Sequence, residues 1–149
     1  MKAEELRINN YIQLYRKPED EEKSIFQIKS IYFDSLEELY FVELYDEFSC
    51  SIGGITPIEL TEEWLIKTNI YTKWDAFGDK NWGGYIPFVG NKKLMLRYWN
   101  DEILITVCTI NKKRGYWKSE YEIKIPLKYF HQLQNLYFAL TGNELTIKI

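Results

Sequence analysis

Histidine occurs once in this 149-residue chain, at position 131, and that scarcity removes whole classes of chemistry. One imidazole cannot build a multi-histidine metal site. The two cysteines, Cys50 and Cys108, are remote in sequence and fit no zinc-ligand spacing. A Ser-His-Asp or Cys-His arrangement would have to recruit His131, which follows Phe130 in a stretch of helical periodicity and reads as scaffold. The phosphate cradles G-x-x-x-x-G-K-[ST] and G-x-G-x-x-G are missing, so no nucleotide or other cofactor is expected. A basic excess is missing too: Asp and Glu number 22 against 19 Lys and Arg, and the net charge of −3 gives no global field for nucleic acid. No apolar run approaches the ~20 residues of a membrane span. The opening Met1-Lys-Ala-Glu-Glu-Leu-Arg7 lacks the apolar segment of a signal peptide. Two cysteines in a chain of this size read as reduced thiols of a cytosolic protein rather than a disulfide, so a cytoplasmic location is expected.

What is abundant is aromatic: 12 Tyr, 8 Phe and 5 Trp, residues that favour strands and filled cores. The most strongly patterned stretch lies near the end. Tyr129, Phe130, Leu133, Leu136, Tyr137 and Leu140 recur at steps of three and four, marking one apolar face of a helix from Lys128 to Thr141. Pro126 suits its first turn, and Gly142 a left-handed stop just past its end. A helix of this length is marginal alone in water, so the apolar face needs a partner surface.

Strands are expected at Asn10–Tyr15 (Ile12 and Leu14 inward), Ser24–Phe33, Leu39–Tyr45 and Phe48–Ile52, from their β-branched and aromatic content. The acidic, proline-started loop Lys17–Lys23 lacks the ligand spacing and turn glycine of a calcium loop. Asp34-Ser-Leu-Glu-Glu38 reads as a turn rather than a helix started by a Ser35/Glu38 capping box. These strands describe a small curled antiparallel sheet, SH3-like in outline. Thr61 is the expected N-cap of a short helix anchored by Trp64 and Leu65. The stretch from Tyr71 to Asn91 is irregular, mixing aromatics with Gly78, Gly83, Gly84 and Gly90. Lys92–Trp99, Ile103–Ile110 and Tyr116–Ile125 then form a meander. Its middle strand is apolar on both faces, and its third points Trp117, Tyr121, Ile123 and Ile125 inward. Glu144–Ile149 reads as a final strand. The fold class is α+β, a single domain with sub-structures 1–70 and 71–149, the second being the meander covered by the Lys128–Thr141 helix.

Three sites compete. The aromatics between Tyr71 and Asn91 either fold back over the sheet or meet a protein partner, with Trp82, Tyr85 and Phe88 as anchors. The basic turn Lys112-Lys113-Arg114, followed by Tyr116, Trp117 and Lys118, is the one candidate for phosphates and bases. Carboxylate pairs, for example Asp75 with Asp79 or Asp101 with Glu102, are the material for a hydrolase. No catalytic residue and no metal site stand out, and the leading expectation is a non-enzymatic interaction protein.

Gly54-Ile-Thr-Pro-Ile-Glu-Leu-Thr-Glu-Glu-Trp-Leu-Ile-Lys67 and Tyr129-Phe-His-Gln-Leu-Gln-Asn-Leu-Tyr-Phe-Ala-Leu-Thr-Gly142 resemble segments of small, uncharacterised proteins encoded by bacteriophages and prophages of gut-type bacteria. Glu5-Leu-Arg-Ile-Asn-Asn-Tyr11 is similar to their opening, where a glycine is more usual at the position of Asn9. The resemblance implies a phage accessory protein acting inside a bacterial cell. It supplies no site residues.

Overall fold

The structure, a computed structural model, describes residues 2–15, 23–73, 83–87, 90, 92–99, 102–111, 116–123 and 127–148. The chain divides into two compact units, one of Met1–Glu59 with Tyr129–Asn135, the other of Leu60–Lys128 with Leu136–Ile149. The architecture is α+β. No helix of the described residues is long and apolar enough to cross a membrane.

In the first unit four antiparallel strands, β1 (Tyr11–Leu14), β2 (Ser24–Asp34), β3 (Leu39–Leu44) and β4 (Ser49–Ser51), lie in the order β1-β2-β3-β4. Alternation puts Ile12, Leu14, Ile28, Val42 and Leu44 on one face, where they are buried with Leu6 and Ile55. The expected inward facing of Ile12 and Leu14 holds. No closed barrel results: β1 and β4 are four and three residues long. Beyond β4 the chain meets β1 only at the bridge between Gln13 and Thr56, where each N–H donates to the other's carbonyl at 2.9 and 2.7 Å.

The same unit holds the start of helix α2 (Phe130–Thr141). The Phe130 N–H donates to the Ile58 carbonyl at 2.8 Å, and the Gln132 side chain accepts from the Tyr129 N–H at 3.1 Å, half of a capping box. Its next turn carries amides. Gln134 accepts from the buried Tyr11 N–H at 3.0 Å and donates to the Asn9 carbonyl at 3.3 Å. Asn135 accepts from the Asn10 side chain at 2.9 Å and donates to the Glu5 carbonyl at 2.9 Å. Asn10 and Gln134 are wholly buried, so these bonds satisfy groups that water cannot reach. Asn9 itself has φ 71°, a left-handed conformation that asparagine tolerates better than most residues. Tyr129–Asn135 thus belongs with the N-terminal strands.

In the second unit, α1 (Glu62–Lys67) starts from Thr61, whose hydroxyl accepts from the Trp64 N–H at 3.4 Å. Trp64 and Leu65 are buried, as expected. Five antiparallel strands follow in chain order: β5 (Thr72–Lys73), β6 (Gly83–Pro87), β7 (Lys92–Trp99), β8 (Glu102–Asn111) and β9 (Tyr116–Ile123). The meander is therefore two strands wider than expected, because part of the stretch read as irregular is sheet. Ile105, Thr106, Val107 and Cys108 are buried in succession, so β8 is covered on both faces. The inward facing expected of Trp117, Tyr121, Ile123 and Ile125 concerns side chains outside the described residues, as does Pro126. Gly142 takes the left-handed stop at φ 71°, its N–H donating to the Phe138 carbonyl at 2.8 Å. The expected final strand reduces to one bridge, Ile147 to Thr68.

Two stability measurements check this account. A Cβ at Gly84 would collide with the Thr72 carbonyl and the Tyr71 ring, whereas Gly53 has open space. Gly84→Ala should lose about 2–3 kcal/mol in urea unfolding and Gly53→Ala less than about 0.5; equal losses would mean the β5–β6 approach is looser than drawn. Gln134→Leu keeps the volume but removes the bonds to Tyr11 and Asn9, and should lose about 1–3 kcal/mol.

Candidate interaction surface

β2 is eleven residues long, and its neighbours cannot cover it. β1 pairs only with Ser24–Gln27 and β4 only with Phe41–Glu43 of β3. At Ile31 and Tyr32 the sheet is down to β2, β3 and β4, and past them Phe33–Asp34 and Leu39–Tyr40 pair only with each other, so the end of the hairpin is a short two-stranded ribbon beyond both β1 and β4. Such a ribbon is weak by itself in water. Cross-strand aromatic pairs hold it: Tyr32 stacks on Phe41 at 5.7 Å and 15°, and Phe33 meets Tyr40 at 5.1 Å and 58°. By alternation the two pairs occupy opposite faces.

The ribbon closes through Ser35–Glu38, a turn as expected. The Asp34 carboxylate accepts from the Leu36 and Glu37 N–H groups at 2.8 and 3.2 Å, and Glu38 turns the chain at φ 54°. The geometry drives apolar side chains into water. Leu36 at the tip is 94% exposed, Phe33 54%, Leu39 48%, and Tyr32 and Tyr40 44% each. Single exposed hydrophobics are ordinary, but five within one hairpin, on its two faces and at its tip, make an exposed apolar element of the sort that marks a contact surface. At the base of the ribbon Glu43 is held by Lys29 at 2.6 Å and by the Ser30 hydroxyl at 3.0 Å. These bonds lower the Glu43 carboxyl and raise the Lys29 ammonium from their ordinary values.

The residues proposed from sequence fall elsewhere. Trp82 and Phe88 lie outside the described residues, and so do Lys112, Lys113, Arg114, Asp75, Asp79, Asp101 and the Glu102 side chain. Tyr85 is described, and it sits in a strand rather than a loop. It is half-buried in β6, paired with Thr72 and Met95, with the Lys93 ammonium 3.5 Å from its ring centroid. Hydrogen bonds from Thr72 and Lys93 hold its phenol below the ordinary value. Nearby, burial and the Glu62 carboxylate push the Tyr71 hydroxyl well up, and Glu62 also pairs with Lys73 at 2.8 Å.

Nothing in the described residues resembles a catalytic constellation. No Asp or Glu among them is buried, and no cluster of His, Cys, Asp and Glu there could hold a metal ion. Both cysteines are free thiols, and burial raises Cys50, which keeps it protonated and a poor nucleophile. His131 is wholly buried, stacked on Tyr129 at 5.7 Å and 12°, and neither ring nitrogen has a hydrogen-bond partner. It packs inside the first unit.

That imidazole makes stability depend on pH. Burial lowers its pKa from the ordinary 6.5, outweighing the Glu5 carboxylate, which pulls the other way. Above about pH 7.5 the ring is neutral in both folded and unfolded chains and contributes no slope. Below that, the unfolded chain takes up a proton that the folded chain resists, so stability falls as pH falls. Between about pH 7.5 and 5 the wild type should lose stability more steeply than His131→Leu, which should match the wild type within about 1 kcal/mol at pH 7.5. Parallel curves would show that the ring is solvated.

No known protein family, curated protein or solved structure matches this chain.

Proposed function

We propose that this chain is a non-enzymatic interaction protein, a phage or prophage accessory protein that grips a host or phage protein in the bacterial cytoplasm. The observation that carries the reading is the β2–β3 ribbon, whose stacked aromatics and tip leucine face solvent. A folded domain gains nothing in its own stability by presenting such a patch to water, and a partner that covers it recovers the burial. The cross-strand pairs make the ribbon a preformed anchor, which limits the side-chain entropy lost on docking. The phage origin is supported by the resemblance of the Gly54–Lys67, Tyr129–Gly142 and Glu5–Tyr11 segments.

Three proteins should be compared in pull-downs from host lysate: wild type, the ribbon variant Phe33→Ser, Leu36→Ser, Tyr40→Ser, and the variant Trp82→Ala, Tyr85→Ala. Circular dichroism should show all three folded. A discrete partner should be recovered by wild type and by the second variant, and depleted about tenfold or more with the ribbon variant, as expected where a few aromatic anchors dominate. If the second variant loses the partner and the ribbon variant keeps it, the contact lies beside β6. Equal recovery by all three would rule out both surfaces.

A further inference from the structure

The charge around the ribbon is one-sided. From Ser30 to Ile66 the sequence holds nine Asp and Glu residues and no Lys, Arg or His, although the whole chain is close to balanced. Three of those acids, Asp34, Glu37 and Glu38, belong to the ribbon tip and flank Leu36, and the Glu37 and Glu38 side chains are exposed. Neither Glu37 nor Glu38 has an ion-pair partner among the described residues, whereas Glu43 at the base already has Lys29. The tip is therefore an apolar knob beside three carboxylates, of which Asp34 caps the turn and Glu37 and Glu38 stand in solvent.

We infer that this knob docks into a protein surface whose apolar cleft is bordered by lysine and arginine side chains. The inference rests on the interaction reading above and adds the charge of the partner to it. Burying Phe33, Leu36 and Tyr40 in any apolar cleft gives affinity, but inserting the tip also brings Asp34, Glu37 and Glu38 against the rim of that cleft. A neutral rim would strip water from the carboxylates without replacing it, and an acidic rim would repel them. A basic rim pairs with them, speeds encounter and rejects wrong partners. The same charge argues against other occupants. A second copy would bring acid against acid, and an anionic lipid surface or a nucleic acid would repel the tip for the same reason.

The test uses the full chain and four fluorescein-labelled peptides of equal length. Three share one leucine spacing and differ in their remaining residues (lysine, serine or glutamate), and the fourth is oligolysine. Binding is read by anisotropy at ~50 and ~300 mM NaCl, where screening lengths differ about twofold. The variants are Leu36→Ser, which changes an exposed side chain and leaves the core intact, and the double swap Glu37→Lys, Glu38→Lys. The lysine–leucine peptide should bind about tenfold or more tightly than the serine–leucine one, weaken at the higher salt, and weaken about tenfold or more with Leu36→Ser. The double swap should move the preference to the glutamate–leucine peptide.

Should the serine–leucine peptide bind as well as the lysine–leucine one, with both lost in Leu36→Ser, the basic partner is overturned and the docking reading stands. Binding that ignores Leu36→Ser, or no binding of any peptide, overturns both. Oligolysine matching the lysine–leucine peptide makes the contact one of charge alone and overturns the inference. So does a dimer in sedimentation velocity, or flotation with phosphatidylcholine vesicles, that is abolished by Leu36→Ser.

Discussion

The first unit depends on two amides. Gln134 and Asn135, on one turn of α2, supply the hydrogen bonds that the backbone from Glu5 to Tyr11 cannot find in the sheet. The reason lies in strand pairing. The Asn9 N–H donates to the Ile28 carbonyl and the Asn10 carbonyl accepts from the Ile28 N–H, which leaves the Asn9 carbonyl and the Tyr11 N–H outside the strand ladder, where side chains of the helix answer them. A helix satisfies its own backbone and has only side chains to offer, so the answer takes the form of amides, which both donate and accept. Asn9, left-handed at φ 71°, bends the chain so that its carbonyl receives the side chains of both Gln134 and Gln27 while its own side chain accepts from the Tyr45 hydroxyl. The contacts that matter most here join residues 123 to 130 positions apart, so the unit completes only when the end of the chain returns to its beginning.

This explains what was legible in the sequence and what was not. β1 to β4 and β7 to β9 follow from β-branched and aromatic runs bounded by turn residues, and α2 from apolar spacing with Gly142 at its stop. The buried face of α2 was only partly readable. Periodicity selects Phe130, Leu133 and Tyr137, but His131 and Gln134 are also wholly buried. No hydropathy pattern picks out a polar residue whose burial is set by a distant backbone group. The errors at the edges of the second sheet have a different origin. β6 begins Gly83-Gly84, residues that weaken strands on average. Gly84 is needed there for close approach of the Tyr71 ring and the Thr72 carbonyl, a fact of packing that no local signal announces. Conversely, Leu145 to Ile147 has good strand propensity, yet it finds Thr68 as its one bridging residue.

The candidate surface was hidden by a sound rule applied too far. Strand-forming aromatics are normally taken to point inward, and Tyr32, Phe33, Leu39 and Tyr40 carried no mark against it. What sets their exposure is a difference in length: β2 and β3 together outrun β1 and β4, so the far end of the hairpin has no flanking strand. The sequence does hold a trace of this. Ile31-Tyr-Phe33 is apolar without alternation, and Leu36 sits among acids in a turn, where a buried leucine would be out of place. Both features become readable only once the partner strands are known to stop short.

A two-stranded ribbon with aromatic faces is an aggregation hazard, since its outer edges are unpaired. Charged residues are the usual remedy, and the carboxylates at its tip serve that end whatever else they do. Solubility alone, however, asks only for charge, of either sign and anywhere along the ribbon. Here the acids gather at the tip around its most exposed leucine, and Lys29, at the base of the ribbon, is engaged by Glu43. Protection against self-association and selection of a basic partner thus come from the same three side chains. A knob that repels its own copies through acidic charge attracts surfaces of the opposite charge for the same electrostatic reason.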